Sequence, residues 1–434
     1  MASRPQLGLD FSAKYVDICL LNPAGERLIG HQRFGNSLPG YQDLKLLLLT
    51  TLRAEGAAGV DISGEATGMY WLPFFLQLAA DPELADQNAT LYLLNPRWVK
   101  WHKKSLSPDD KTDARDAYYI ADRHRTRPHS IPWQRDPGTL ALRAYTRYRF
   151  HLVQNLAREK SFFCAYLFLK ANAYRRLRPF SDVFGATSRL VLGQAVTLDD
   201  LAALPVTYLA DKLAELSRHC LPVPRHNALR LQRVARESLP LPTEMQLPVQ
   251  RILEATLTTI AFLEEQIAQA ERWIAAELVH YPAIQQLATT PGVGPACSAG
   301  IGAEINPVQR FLTGTKWDAR RQRRRPKNLR DAEDAVAKIA GLWWPRTQSG
   351  TFEAEDRHMS KAGNAYLRYY LIQAAEQLRR HAPEYQRFYR RKYREARTHK
   401  HKRALVLTAR KSVGLFVGLL HRNEPYRSLE ERQT

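Results

Sequence analysis

The sequence predicts an α/β domain at the amino terminus and a mainly α-helical remainder. Three short segments near the start, residues 5–12, 15–22 and 27–34, alternate apolar with small or polar side chains, which is typical of half-buried strands. Helical and strand patterns then alternate until prolines cluster at residues 128–138. Beyond that point the patterns are almost entirely helical.

The order of the predicted elements narrows the α/β class. The first three strands form an antiparallel meander, followed by a helix at residues 40–54, a strand at 59–65, a second helix, a strand at 91–94 and a third helix. This order is ribonuclease H-like. It places Asp10 on the first strand and Glu65 at the carboxyl end of the fourth, where open α/β sheets collect catalytic groups.

The third helix carries two carboxylates, Asp113 and Asp116, three residues apart. Ser107 can cap this helix and Pro108 suits its first position, so we expect the helix to begin near residue 108. The spacing places both carboxylates on one helical face, together with Ile120. Taken alone, such a pair is more often an exposed acidic first turn.

Together with the two strands, the acidic pair predicts a metal centre. Four carboxylates at one point repel one another strongly unless a cation neutralises them, and hard oxygen ligands favour Mg²⁺, with Mn²⁺ as a substitute. Taken singly, Asp10 could end a turn and Glu65 could be an exposed strand end. We predict instead that Asp10, Glu65, Asp113 and Asp116 converge on Mg²⁺ for chemistry on a phosphodiester.

The chain is strongly basic, with a formal net charge of +21 over 434 residues. Residues 310–434 hold 30 Lys or Arg against 13 Asp or Glu, an excess of 17. This localised excess predicts a polyanionic partner such as nucleic acid. We expect a cytoplasmic, nucleoid-associated prokaryotic protein with no membrane partner, because the sequence shows neither a continuous apolar span of bilayer length nor a secretory pattern. The four cysteines are scattered and predict neither a zinc site nor a disulfide framework.

We predict three domains: residues 1–133, residues 134–284 with an insert at 179–243, and residues 285–434. In the second domain, apolar residues recur from Val249 to Ile274 with alternating spacings of four and three, which predicts a coiled-coil seam. Such a seam needs a partner helix. The partner is either the helical stretch 139–178 of the same chain or a second protomer.

Three features mark the third domain. The run from Thr290 to Pro295 lies between helical patterns and predicts either a helix-hairpin-helix, whose glycines admit a phosphate, or an ordinary helical hairpin. The Arg-rich run at 319–327 predicts a nucleic-acid arm that is mobile until bound. Ser349 lies on a loop beside a glycine, where a serine is normally a turn residue, and chemistry by its hydroxyl would need acids from elsewhere.

Cationic and polar side chains in three stretches are candidate contacts to nucleic acid. They precede the acidic pair, fill the Arg-rich run and flank Ser349: Lys111, Arg321, Arg323, Arg324, Arg325, Lys327, Arg346, Arg357, Lys361, Asn364 and Arg368. An Arg on a basic helix is more often a general backbone contact than an aid to the reaction. Tyr369 and Tyr370 are alternative nucleophiles, although helical aromatics usually pack in a core. His399 and His401 either bind a metal or add to the positive charge.

An ordered set of short motifs resembles a known family. The first half contributes Gly8-Leu9-Asp10, Gly64-Glu65-Ala66-Thr67-Gly68, Asn95-Pro96 and Lys111-Thr112-Asp113-Ala114-Arg115-Asp116-Ala117. The second half contributes Pro291-Gly292-Val293-Gly294, Ser349-Gly350, Ser360-Lys361-Ala362-Gly363-Asn364 with Leu367-Arg368, and Ala409-Arg410-Lys411. Together they are similar to the RuvC-like DEDD domain and the serine domain of the insertion-sequence transposases of family one-hundred-and-ten. The longer helical middle and the Arg-rich stretch before Gly341 depart from the family pattern.

The resemblance implies an RNA-guided DNA recombinase. Members of that family use a structured bridge RNA, encoded by the element itself, to pair with donor and target DNA. Asp10, Glu65, Asp113 and Asp116 would then be the metal-binding quartet, and Ser349 the nucleophile that forms a phosphoserine link with DNA. The family also implies a homodimer or homotetramer in which the acids of one protomer face the serine domain of another.

Two other functions fit the same residues. A junction-resolving or ribonuclease H-like nuclease would use the acids to activate water, and Ser349 would be structural. An inactive RNA or DNA scaffold would need neither group. Only the recombinase forms a protein–DNA adduct that depends on Ser349, and only the scaffold tolerates Asp113→Asn.

Overall fold

The computed structural model describes residues 4–66, 68–106, 113–128, 131–134, 136–193, 197–345, 348–349, 352–353, 357–428 and 431, with the backbone alone for 113–114, 348–349 and 352–353. The chain divides into two compact units. Residues 1–141 and 281–434 form the first, and residues 142–280 form the second. The three-domain division drawn from the sequence stays a prediction.

A five-stranded mixed sheet organises the start of the first unit. Its strands are β1 (Gln6–Phe11), β2 (Tyr15–Leu21), β3 (Arg27–Gly35), β4 (Asp61–Glu65) and β5 (Thr90–Leu94), in the spatial order β3-β2-β1-β4-β5. The first three pair antiparallel, and β4 and β5 run parallel to β1. The predicted meander and the two later strands are therefore confirmed.

Alternation along the strands separates the two faces of the sheet. Leu7, Leu9 and Phe11 of β1 enter a core that also contains buried side chains of α1 (Leu38–Ala54) and α2 (Leu72–Ala80). The short helix α3 (Pro82–Asp86) follows α2. Because side chains alternate along a strand, Gly8 and Asp10 face the opposite side, which is covered by α5 (Asp113–Thr126).

Gly8 allows α5 to approach β1 closely. A Cβ atom at this position would lie 2.1 Å from the carbonyl oxygen of Ala117 and 2.6 Å from the amide nitrogen of Ala121. Both alanines are fully buried against β2. The close packing brings Asp116, one residue before Ala117, to the same face of the sheet as Asp10.

Two expectations about this region need comment. The helix α4 (Pro96–Leu106) was not predicted, and its one buried residue, Val99, packs with Leu94 and Ile120. The predicted cap Ser107 and first position Pro108 of the acidic helix lie outside the described residues, and α5 is described from Asp113 onward.

The second unit contains two long helices that run antiparallel. The helix α6 (Pro137–Lys170) enters it and α12 (Thr243–Leu278) ends near its boundary, with α7 (Tyr174–Leu177), α8 (Ala186–Leu192), α9 (Leu198–Ala203), α10 (Val206–Leu216) and α11 (Pro224–Glu237) between them. Arg149 pairs with Glu271 at 2.6 Å and Lys160 with Glu264 at 2.8 Å. The partner number falls as the residue number rises, as antiparallel helices require.

The predicted seam of α12 lies within this unit. Its residues are buried except Ile267, which is half-buried: Val249, Leu253, Thr256, Ile260, Leu263, Ala270 and Ile274. They share cores with Leu152, Phe163 and Leu167 of α6. Of the two partners considered, the structure therefore supplies the helical stretch of the same chain.

The rest of the first unit is mainly helical. Its helices are α13 (Pro282–Ala288), α14 (Pro295–Ile305), α15 (Gln309–Leu312), α16 (Leu329–Ile339), α17 (Ala365–His381), α18 (Pro383–Glu395) and α19 (Lys400–Arg422). Two small antiparallel strand pairs join them, β6 (Thr315–Asp318) with β7 (Arg323–Pro326) and β8 (Gln348–Ser349) with β9 (Phe352–Glu353).

The helix α19 packs against α13, α16, α17 and α18. On length and composition it is the one helix of the described chain that could cross a bilayer, although we expected no such span. Its apolar window is 56% buried inside the protein, and a core helix passes the same test. The packing accounts for the apolar sequence without a membrane.

The turn between α13 and α14 is closely packed. Gly292 has φ +75°, and a Cβ there would lie 2.7 Å from His381 Cδ2 and 2.9 Å from Gln377 Cβ, both on α17. The glycine therefore serves helix packing on this side. Gly294 has open space at its Cβ position. The helix-hairpin-helix interpretation stays a prediction beside that of an ordinary hairpin.

Candidate metal centre and serine loop

Asp10, Glu65 and Asp116 lie close enough to influence one another electrostatically. Burial first, and then the negative charges of Asp116 and Glu65, raise the pKa of Asp10 to about 6. The three acids come from β1, the carboxyl end of β4 and the first turns of α5. Two of the other predicted metal ligands, Glu65 and Asp116, thus lie within electrostatic range of Asp10. The side chain of Asp113 lies outside the described residues.

A lysine from α4 supplies a positive charge at this cluster. Lys103 Nζ lies 2.5 Å from Asp116 Oδ1, and the same ammonium lowers the pKa of Asp10. A hydrogen bond between His102 Nε2 and Asp122 Oδ2, 2.9 Å apart, also joins α4 to α5. Sequence reasoning missed Lys103, because no local signal indicates which acid a lysine of another helix will reach.

A fifth carboxylate, Asp17, lies directly opposite Asp10 in the pairing of β1 with β2. It is 4% exposed, and it raises the pKa of Asp10 as well. His31 Nε2 lies 2.6 Å from Asp17 Oδ1, and Arg33 Nε donates to the same oxygen over 3.0 Å. These partners on β3 occupy Asp17, so we regard it as a support for Asp10 and not as a metal ligand. An acid inside an apolar strand was the sequence signal for it.

The residues present fit a hard divalent cation. Within the described side chains, no group of three His, Cys, Asp or Glu forms a ready metal site, and Asp113 falls outside that set. The donors that gather are carboxylates, the ligands that Mg²⁺ and Mn²⁺ prefer. In addition, a Lys103 ammonium already stands where negative charge accumulates.

Ser349 ends β8, opposite Phe352 of β9, so it lies at a reversal of the chain. The base of this serine loop is well tied. The Ser360 amide donates to Trp343 O over 3.0 Å, and the Asn364 amide donates to Ile339 O over 2.7 Å. The chain leaving the loop therefore runs beside the chain that enters it. The Ser349 side chain is outside the described residues.

Two family models match this chain. One, described as a transposase and named for its DEDD motif and for IS110, matches residues 7–168, and the other, the transposase IS116/IS110/IS902 family, matches residues 324–390. Together the two matches cover more than half of the sequence. The chain belongs to the IS110-type transposases. No curated protein matches it.

The matched ranges contain the candidate site of the transposase. Asp10, Glu65, Asp113 and Asp116 lie in the first range, and Ser349 lies in the second. Membership shows a protein that acts on DNA in the transposition of an insertion sequence. It also confirms the resemblance that the short motifs carried.

Several predicted nucleic-acid contacts of the transposase have partners inside the chain. Asn364 caps α17 by accepting from the Leu367 amide, and its Nδ2 donates to the buried Glu304 over 2.7 Å. Arg368 donates to the carbonyls of Ala340 and Lys361. Both side chains thus fix the base of the serine loop, and their contact with nucleic acid stays a prediction.

The remaining candidates differ in exposure. Arg357 and Lys361 are exposed, whereas Lys111 and Arg346 lie outside the described residues. Tyr370 is 1% exposed and packs in the core, as expected of a helical aromatic. His401 Nδ1 lies 2.7 Å from the Tyr389 hydroxyl. That contact gives the histidine a partner other than a metal.

The Arg-rich run is more ordered than the sequence suggested. We expected an arm that is mobile until bound, but β6 and β7 form a hairpin in the transposase. Arg325 Nη1 lies 2.6 Å and Lys316 Nζ 2.8 Å from Asp331 of α16, and these cations hold the pKa of Asp331 well below its usual range. Asp331, six residues after Arg325, thus ties the run to α16, and mobility before binding stays a prediction. The hairpin still exposes Arg320, Arg321, Arg323 and Arg324.

The raised pKa of Asp10 predicts a pH-dependent stability. Because the pKa of Asp10 is higher in the folded than in the unfolded protein, this group adds to the free energy of unfolding at low pH. The contribution is complete below about pH 4 and is lost as the pH rises through about 6. In metal-free buffer at pH 8, Asp10→Asn should therefore stabilise the transposase by about 1–2 kcal/mol, after allowance for partial exposure, and at pH 4 by much less. Thermal unfolding at both pH values measures the difference.

The exposed acid Asp43 of α1 provides the control. Asp43→Asn should leave the melting temperature nearly unchanged at both pH values. Equal melting temperatures for the wild type and Asp10→Asn at pH 8 would mean that the Asp10 carboxylate is not destabilised by its neighbours.

Proposed function

We propose that this transposase is an RNA-guided DNA recombinase in the prokaryotic nucleoid, with Mg²⁺ held by Asp10, Glu65, Asp113 and Asp116 and with Ser349 as nucleophile. The observation that supports the proposal is that Glu65 of β4 and Asp116 of α5 lie within electrostatic range of Asp10 on β1. Neighbouring carboxylates repel one another when no cation neutralises them, and this repulsion lowers the stability of the fold. Groups whose pKa is shifted in this way are typical of functional sites.

The sheet supports a ribonuclease H-like interpretation of the amino-terminal region. Three antiparallel strands continue into two parallel ones in the order β3-β2-β1-β4-β5. Asp10 lies on the central strand, and Glu65 ends its parallel neighbour. Both positions lie at the edge where open α/β sheets place reacting groups.

In the proposed reaction, the Ser349 hydroxyl attacks the phosphorus of one DNA strand. The new Oγ–P bond forms as the bond from phosphorus to one sugar oxygen breaks. The seryl proton passes to solvent, and the released sugar oxygen takes up a proton. When bound, Mg²⁺ would stabilise negative charge on the phosphate oxygens. Attack on the phosphoserine by the hydroxyl of a second strand restores the serine and joins the DNA.

The residues around the two centres have distinct tasks in this scheme. The carboxylates hold the cation and the phosphate that it binds, and the hydrogen bonds at the base of the serine loop limit the positions that Ser349 samples. The exposed guanidiniums of Arg321, Arg323 and Arg324 bind nucleic-acid phosphates. Arg325 and Lys327, which are half-buried, support that hairpin.

Assembly into a homodimer or homotetramer belongs to the proposal as well. In such an assembly the acids of one protomer act with Ser349 of another. The seam of α12 is covered by α6 of its own chain, so contacts between protomers must use other surfaces. Sedimentation of the purified protein with and without its RNA measures the oligomeric state.

The guide RNA is tested by sequencing the nucleic acid that co-purifies with the protein. We expect one discrete RNA with two loops, one complementary to donor DNA and the other to target DNA. Recovery of bulk cellular RNA alone would refute RNA guidance. That result would favour the alternative function, a nuclease whose acids activate water.

A further inference from the structure

The outward face of α4 combines an exposed indole with a cluster of cations. Trp101 is 54% exposed, and the guanidinium carbon of Arg97 lies 4.6 Å from the centre of its ring. Lys100 and Lys104, one turn apart, are exposed on the same side. Val99, His102 and Lys103 occupy the opposite side and contact α5 or its neighbours.

The charged residues of this face, Arg97, Lys100 and Lys104, are all cationic. The helix contains no acidic residue. Among the described residues, no carboxylate pairs with Arg97, Lys100 or Lys104. A single exposed tryptophan on a protein surface is ordinary. An exposed tryptophan among uncompensated cations, on a helix that also reaches the acid cluster, requires a further explanation.

A second tryptophan extends the same surface. Trp98 is 36% exposed, and the Arg123 guanidinium carbon lies 5.9 Å from the centre of its ring. Arg123 belongs to α5, the helix that carries Asp116. The aromatic and cationic surface thus spans α4 and α5. Lys103, which pairs with Asp116, follows Trp101 by two residues.

We propose that this surface, formed by Arg97, Trp98, Lys100, Trp101 and Lys104, binds unpaired nucleotides next to the acid cluster. Cations attract phosphates, and an exposed indole stacks on a base whose face is free. In a duplex the base faces are covered by neighbouring bases, so the indole discriminates in favour of a single strand. The inference rests on the proposed action at DNA and adds a binding site for the strand that is separated there.

The chemistry is shared by single-stranded DNA and by an unpaired stretch of RNA. A protein partner fits less well, since two indoles and three cations offer little apolar area for a stable interface. The experiment therefore compares single-stranded DNA with RNA, and it also measures whether the protein associates with itself.

The experiment measures the affinity of the full chain for labelled oligothymidylate, oligouridylate and a matched duplex by fluorescence anisotropy in EDTA. Trp101→Ala should weaken single-strand binding by roughly 5- to 100-fold and leave duplex binding nearly unchanged. Trp101→Phe should retain most of the affinity, because it keeps an aromatic ring. The oligonucleotide with the larger loss identifies the natural ligand as DNA or RNA.

Tyr208 of α10, which is 49% exposed, supplies a matched control in the second unit. Tyr208→Ala should bind every oligonucleotide like the wild type. Unchanged single-strand affinity in Trp101→Ala, an equal loss for single strand and duplex, or a changed oligomeric state without loss of affinity would each overturn the inference. Because no divalent metal is present, a failure of the proposed cleavage chemistry would not affect this result.

Discussion

Ser349→Ala should abolish the covalent protein–DNA adduct and strand joining, with a loss of at least about 10³-fold in both. The reason is that alanine has no hydroxyl to bond phosphorus, and no other step of the scheme supplies one. Denaturing gels of reactions with labelled DNA, followed by mass spectrometry of the attached peptide, measure the adduct and locate it.

Ser360→Ala is the matched control for this substitution. Ser360 lies at the base of the same loop, and its Oγ accepts only a long hydrogen bond, 3.4 Å from the Ala362 amide. The control should form the adduct at a rate close to that of the wild type. Efficient DNA cutting by Ser349→Ala, without an adduct, would replace the recombinase mechanism by hydrolysis with activated water.

Asp116→Asn should reduce adduct formation by about 10³-fold, because the cluster loses a charged ligand for the cation. The substitution removes the negative charge of Asp116 and also breaks the ion pair between Asp116 and Lys103. Adduct yield as a function of Mg²⁺ and Mn²⁺ concentration measures the effect. DNA binding in EDTA should remain, since the cationic surfaces are unchanged.

Asp43→Asn serves again as a control, because it removes one exposed carboxylate from α1 and leaves the cluster intact. It should show the metal dependence of the wild type. A fully active Asp116→Asn, with the same dependence on Mg²⁺, would remove this carboxylate from the reaction. If neither the wild type nor Asp113→Asn formed an adduct and both still bound nucleic acid, the result would favour the scaffold function that we considered at the start.

The sheet could be predicted because apolar and small or polar side chains alternate along its first strands, although β1 and β2 are buried on both faces. The alternation also places Asp10 on the face opposite Leu9. The helix α4 could not be predicted in this way. Its single buried residue, Val99, packs against Ile120 of α5 but produces no apolar period, and α4 also makes polar contacts with α5.

Contacts between residues that are far apart in the sequence could not be predicted either. The pairing of Lys103 with Asp116 and the support of Asp17 by His31 and Arg33 join separate elements, and spacing along the chain carries no signal for them. The Arg-rich hairpin illustrates the same limit. Its composition gave no signal that Asp331 of α16 pairs with Lys316 and Arg325.

The most direct test of the central claim is to count and titrate Mn²⁺ bound to the protein by electron paramagnetic resonance in the absence of nucleic acid. The wild type should bind Mn²⁺ at a site that Mg²⁺ displaces, and Asp10→Asn and Asp116→Asn should each weaken or remove that site. Equal Mn²⁺ stoichiometry and affinity in the wild type and both variants would show that these carboxylates do not hold the metal.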